Sequence, residues 1–480
     1  MMAIQIIHRQ PLIRNATSLS IFFYTISIIS IAAILIDSVT NNIPEAFSNI
    51  WLLPVFFCFS HIFLIKVNNK GIALYSLIIQ CIYFLRMAVT PLVMWAGDFA
   101  SVIDPSVYIY SITSAIWFMG YENFIVFFFL AYISERDFIP EPEVIPKERF
   151  RPTKKLKLGI IGLCIAILLI LGSDPTIGKH VFLFLLDIGN TYYALSSSDT
   201  GIGTLSMFVE LLGALFKMIQ IILPPLLLYY ILKIHGQKTR IRLSVLLLII
   251  ICLFATEDRI DALLAGLAFL MTMREYLGSR FKKTSLKILG VVCIICFVGL
   301  AIKGGALSKE ATDSNQRTSA TIAAYFSGVP TVATGLEYAT NNDQSIFFLQ
   351  IVPDIISKIP FAAYILKLTM GINLVNSNQM FNDYIGTRLG HGLGQILPTT
   401  VVGYEYFGFL LAPLFPCLLI VLARYYWKRT YIQENIICRN LYFWITISVS
   451  LCPVVMSGLL IVGKLSWFYI SLWFVKFLNK

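Results

Sequence analysis

Glu405 stands in the stretch Val402-Gly403-Tyr404-Glu405-Tyr406-Phe407-Gly408-Phe409, a carboxylate set among aromatic rings at the mouth of an apolar run. A carboxylate held out of water gains basicity and suits a catalytic base. The same position suits an interfacial anchor, because aromatic residues such as Tyr404 and Tyr406 commonly belt the ends of membrane helices. Just upstream, residues 386–394 hold Arg388 and His391 among four glycines in nine residues. Glycine lets a backbone approach a ligand closely, and a histidine there serves as acid, base or hydrogen-bond donor, or is simply exposed. Arg317 is followed by ten residues and then Gly328. Arg259 lies in Thr256-Glu257-Asp258-Arg259-Ile260-Asp261, between two short apolar runs. That segment is either a solvated turn with local ion pairs or a guanidinium held where phosphate headgroups lie. Arginine grips phosphate through two parallel N–H bonds in a way lysine cannot reproduce, so an anionic lipid is a natural partner for the second reading.

The elements that must position these residues are membrane helices. Of the 480 residues 58% are hydrophobic and only 13% charged, with a mean hydropathy of +0.79. Soluble domains carry about 25% charged residues. A bilayer core of about 30 Å needs roughly 20 apolar residues per helix. Apolar runs near 20–39, 50–67, 72–94, 112–134, 158–172, 205–232, 243–256, 260–273, 288–302, 407–426, 440–460 and 464–478 predict an all-α polytopic bundle of about twelve helices. The first run ends without a small-residue cleavage site and reads as a retained helix, not a signal peptide. The formal charge of +11 does not point to nucleic acid, because the basic residues fall in short clusters between apolar runs. Such clusters lie at 136–157, 233–242, 274–287 and 424–439, in alternate connections, and place those connections and both termini in the cytoplasm.

Two outer segments follow, 173–204 and the long 303–396. Long loops are usually functional or disordered, and the apolar runs at 345–352 and 359–368 argue for short helices lying on the outer leaflet or over a cavity. The domain layout expected is therefore helices one to nine over 1–302, a large periplasmic loop over 303–396, and three further helices over 397–480. The nine cysteines lie mostly inside apolar runs. Cys293 and Cys296 form a CxxC spacing mid-span, where small apolar residues packing in a helix explain them better than redox or metal chemistry.

Ionisable residues within spans each cost about 2.5–3.5 kcal/mol on insertion scales and so need an account. Arg86 and Glu122 fall mid-span in neighbouring helices and are expected to pair. Glu210 and Lys217, two turns apart, either line a polar cavity or help pack the bundle. Several chemistries are missing from the sequence. Gly178-Lys179-His180 lacks the glycine spacing and the following Ser or Thr of a phosphate loop, and no HExxH or Asp-x-Asp metal motif occurs. An enzyme of this make-up would take its substrate from the lipid phase and need no cofactor or metal.

In layout and in short motifs the chain resembles the bacterial O-antigen polymerases, the Wzy-type repeat-unit polymerases. These have many helices, a large periplasmic loop before the last few, and an Arg-x(10)-Gly element, matched here by Arg317 and Gly328. They also have a glycine-rich stretch leading into Glu-x-(Phe/Tyr)-Gly, matched by Glu405-Tyr406-Phe407-Gly408. Their Gly-x-Arg turn is matched only at Arg259, since the glycine is absent. The resemblance implies a membrane glycosyltransferase of the GT-C kind in the inner membrane, serving lipopolysaccharide biosynthesis. It would join oligosaccharide repeat units carried on undecaprenyl pyrophosphate, with a chain-length regulator protein as a conceivable further partner beside membrane lipids. By that resemblance Arg259, Arg317, Arg388 and Tyr404 bind pyrophosphate or substrate, and His391 or Glu405 is the base. An O-antigen ligase shares the layout and differs in its acceptor. A lipid-linked oligosaccharide flippase is the third reading, against which the unequal halves and the long outer loop both weigh.

Overall fold

The computed structural model describes residues 17–40, 43–100, 109–135, 137, 151–173, 183–184, 204–255, 259–277, 281, 284–285, 288, 314–341, 347–359, 362–371, 374–389, 397–455 and 458–479. Among the described residues the regular structure is helical, apart from one antiparallel pairing of β1 (Leu183–Phe184) with β2 (Phe254–Ala255). In chain order the helices are α1 (Thr17–Val39), α2 (Leu52–Lys70), α3 (Leu74–Phe84), α4 (Thr90–Ala96), α5 (Ile109–Ser134), α6 (Lys154–Ser173), α7 (Thr204–Ile231), α8 (Gln237–Leu253) and α9 (Arg259–Tyr276). Next come α10 (Ser314–Tyr325), α11 (Val329–Asn341), α12 (Phe347–Lys358), α13 (Ala362–Met370) and α14 (Ser377–Leu389). The last four are α15 (Thr399–Leu411), α16 (Leu414–Ile432), α17 (Ile436–Leu451) and α18 (Leu460–Leu478).

Helices thus occupy the places of eleven of the expected runs, and the ninth, 288–302, falls outside the described residues but for its first. Among the described residues five helices are long and apolar enough to cross a membrane, or six if the α15–α16 pair is one broken span. α7 and α17 present shorter apolar stretches, Leu215–Ile231 and Ile436–Leu451, and α8 opens on Lys238, Arg240 and Arg242, which shortens its own. The segment 303–396 contains α10 to α14.

The chain divides into two compact units. The first gathers 1–144, 307–425 and 448–466, the second 145–306, 426–447 and 467–480. In the first unit α2 packs along α5. Gly120 lets the Phe56 ring lie on α5, since a Cβ there would sit 2.4 Å from Cδ2 of that ring. Phe23, Phe57 and Phe127 surround the buried His61, and Phe84 packs on Phe23 with ring centroids 4.5 Å apart.

Between α3 and α4 the helix widens to a π turn over Leu85–Val89. Pro91 explains it: proline has no N–H to offer the Met87 carbonyl and its ring crowds that oxygen, so the turn opens. Thr90 Oγ1 donates to the Leu85 carbonyl at 2.8 Å. The bulge carries Arg86, whose Nη1 meets Glu122 Oε2 of α5 at 2.8 Å, while Tyr83 Oη donates to Glu122 Oε1 at 2.7 Å. The expected Arg86–Glu122 pair is therefore present, and both residues are buried.

In the second unit α7 packs against α6, α8 and α9. Pro224 and Pro225 lie inside α7. Pro225 leaves the Ile221 carbonyl without its helical donor, and Asn440 Nδ2 of α17 supplies one at 3.0 Å. Asn440 Oδ1 in turn accepts from Thr272 Oγ1 of α9 at 2.9 Å. Lys217 of α7 pairs with Asp261 of α9 at 2.9 Å. Of the two readings of Lys217, its observed partner favours packing of the bundle.

Candidate functional site

Glu405 lies on α15, and the local sequence explains why that helix is unusual. Gly408 has φ 74 and ψ 177, a conformation essentially restricted to glycine. Beyond it α16 runs off at 113° to α15. The reversal presses the Ala412 carbonyl against Gly403, where a Cβ would sit 2.3 Å from that oxygen. Gly403 and Gly408 are thus both needed to fold the Gly-Tyr-Glu-Tyr-Phe-Gly segment back on itself. Pro398 immediately precedes the helix, and Thr399 Oγ1 donates to the Cys452 carbonyl at 2.6 Å.

Three helices of the 303–396 segment converge on α15. Gly335 of α11 seats Val401, whose Cγ2 would be 2.8 Å from a Cβ at that glycine. α12 also packs on α15, and α11 packs on α14. The start of α14 is fixed by a capping box: Asn376 Oδ1 accepts from the Gln379 backbone N–H at 3.0 Å, and Gln379 Oε1 accepts from the Asn376 N–H at 3.0 Å.

Asp354 of α12 joins these elements. It is fully buried. Its Oδ1 accepts from the Ser377 backbone N–H at 2.6 Å, and its Oδ2 from the Ser377 hydroxyl at 2.7 Å. The Tyr406 hydroxyl of α15 also donates to Oδ2. An anion at the first turn of α14 is favoured by the helix dipole and by charge-assisted bonds. Lys358, one turn along α12, adds positive charge: burial pushes its ammonium below the ordinary lysine value, and Asp354 opposes that shift.

Glu405, adjacent to Tyr406, is treated differently. It is 6% exposed, and among the described residues neither of its carboxylate oxygens has a hydrogen-bond partner. The charged side chain whose field reaches it is Asp354, of the same sign. A bare buried carboxylate is an available acceptor for a hydroxyl proton. Tyr404 meets Phe118 of α5 edge-on, ring centroids 6.0 Å apart, so its ring packs in the helix bundle.

Arg317 lies on α10 and Arg388 near the end of α14, both in the unit that holds Glu405. α10 is docked on α4 by Ser319, whose hydroxyl donates to the Val93 carbonyl at 2.9 Å. Gly328, the partner of Arg317 in the spacing motif, closes the turn after α10. Its N–H reaches the Ala323 carbonyl at 2.7 Å, and a Cβ there would sit 2.9 Å from the same oxygen. Arg259 is the first residue of α9, in the other unit. His391, Glu257, Asp258, Cys293, Cys296 and Gly178-Lys179-His180 lie outside the described residues.

Asp354 and Ser377 were not among the residues singled out from sequence, and Tyr406 stood there only as an aromatic of the helix end and a member of the motif around Glu405. Asp354 stands in an apolar amphipathic stretch, Phe347–Lys358, so the rule that flagged Arg86 and Glu122 applies to it too. Among the described residues no three His, Cys, Asp or Glu side chains come together as a metal site.

Fold and site define a helical protein with several segments able to cross a membrane and one unpartnered buried carboxylate beside a saturated one. No protein-family model, curated protein or solved structure matches the chain.

Proposed function

We propose that the protein is a bacterial inner-membrane glycosyltransferase, with both termini cytoplasmic, that polymerises oligosaccharide repeat units carried on undecaprenyl pyrophosphate. The growing chain passes from its lipid to the terminal sugar of an incoming unit at the periplasmic face. The bond between the anomeric carbon and the pyrophosphate oxygen breaks, its electron pair leaving with the lipid pyrophosphate. The acceptor hydroxyl oxygen bonds to the same carbon and gives its proton to a base.

The observation that carries this reading is the Glu405 carboxylate, buried and without a hydrogen-bond partner among the described residues, at the position that the sequence resemblance marks as a candidate base. The helices of the 303–396 segment support it, since they bring Arg317 and Arg388 into the same compact unit. Arginines stabilise charge developing on a leaving pyrophosphate without a metal.

A gel of surface lipopolysaccharide from a strain lacking the gene tests the proposal. The expected result is loss of the ladder with a single capped repeat unit remaining, and Arg317→Ala or Arg388→Ala should reproduce it at normal protein levels. Loss of every O-antigen band would point instead to ligation or flipping, and an unchanged ladder would refute the proposal.

A further inference from the structure

Two carboxylates of the same unit, Asp354 and Glu405, are both buried and differ in every other respect. Asp354 accepts three hydrogen bonds, two from Ser377 and one from Tyr406. Glu405 accepts none from the described residues. The phenol that binds Asp354 belongs to the residue next to Glu405 in the chain.

The same carboxylate also ties together the helices that matter. Through Tyr406 it fixes the turn of α15 that bears Glu405. Through the Ser377 N–H it seats the first turn of α14, whose far end, about 16 Å along the axis at 1.5 Å per residue, carries Arg388. Asp354 lies on α12, so three helices of one unit meet at a single side chain.

We propose that Asp354 is a positioning residue for the transfer reaction: by engaging Tyr406 and Ser377 it sets α15, which bears Glu405, and α14 in register. This inference rests on the glycosyltransferase reading above. Orientation of a base matters mainly in the transition state, where small misplacements cost up to about a hundredfold in rate. An interaction that acts there lowers kcat and leaves KM in place.

The test uses the full-length protein in liposomes, with the lipid-linked repeat unit extracted from the deletion strain as substrate. Tyr406→Phe removes one hydroxyl and keeps the ring, and Ser377→Ala removes one donor while keeping the backbone N–H. Each should lower kcat about tenfold to a hundredfold, with KM within about twofold of wild type and an unshifted melting temperature. Asp354→Asn should lower kcat at least as far, but its buried network makes it the variant most prone to misfold, so the two donor variants decide. Glu405→Gln and Arg317→Ala serve as references and should abolish transfer. If those references abolish transfer while Tyr406→Phe and Ser377→Ala keep wild-type kcat, the positioning role is overturned and the glycosyltransferase reading stands. A fall in kcat that merely follows a lowered melting temperature overturns the role as well. If the wild-type protein forms no polymer, the reading itself fails, and the role with it.

Discussion

The costs of removing Arg86 and Glu122 one at a time should add up to well more than the cost of removing both. Arg86 donates to Glu122 Oε2 at 2.8 Å and, through Nε, to the Ser327 carbonyl at 3.1 Å. Glu122 also accepts from Tyr83. In Arg86→Met the carboxylate keeps only the tyrosine and stays charged in the interior, a loss of about 3–5 kcal/mol for a broken buried pair. In Glu122→Gln the guanidinium keeps the Ser327 carbonyl but loses its counter-charge, a loss of about 2–3 kcal/mol by the worth of a charged hydrogen bond. In the double variant no charge remains, and the cost is two neutral groups short of a partner, about 2–4 kcal/mol in all. The single effects should therefore exceed the double by about 3 kcal/mol, at the upper end of measured pair couplings. Equilibrium unfolding of the purified protein in mixed detergent micelles, followed by tryptophan fluorescence, gives all three numbers. Singles that add to the double within about 0.5 kcal/mol would refute the argument, because independent sites behave that way.

Two further outcomes follow from backbone geometry. Gly408→Ala should lower the melting temperature by the equivalent of about 1–3 kcal/mol, the cost of a side chain in that region of φ and ψ, and should shorten the polymer ladder by moving Glu405; an unshifted melt would show that the turn does not need glycine. In the second unit Asn440→Ala should cost about 1–3 kcal/mol by orphaning the Ile221 carbonyl. Pro225→Ala in the same background should recover part of that by restoring a helical donor, and equal melts for the single and double variants would dismiss the account.

Much of the helical layout was legible from sequence, because a run of apolar residues has few folded alternatives in a bilayer. The Arg86–Glu122 pair was legible for the same reason: an ionisable residue inside a span must find an opposite charge. The site was legible only in part. Glu405 stood out by its aromatic setting, whereas Asp354 was passed over between the apolar runs 345–352 and 359–368, and its partners Ser377 and Tyr406 are far from it in the chain. Hydrogen bonds between residues so distant leave no periodic trace. The glycines at 386–394 drew attention as a ligand approach, and from 390 on they lie outside the described residues; among the described residues the glycines required by their surroundings include Gly328, Gly403 and Gly408, which close turns and permit backbone contact. The bend between α15 and α16 went unforeseen, because hydropathy runs continuously through Gly408.

Comparison among the buried acids singles out Glu405. Glu122 is held by Arg86 and Tyr83, Asp137 by Arg424 at 2.6 Å and by Tyr75, Asp261 by Lys217 at 2.9 Å, and Asp354 by Ser377 and Tyr406. Each of these spends its charge on joining helices, which is what a fold asks of an ionisable group in an apolar setting. Glu405 accepts no hydrogen bond from the described residues. It sits on α15, which turns at Gly408. Under the proposed function, an uncommitted carboxylate there is the acceptor that proton abstraction from a sugar hydroxyl requires.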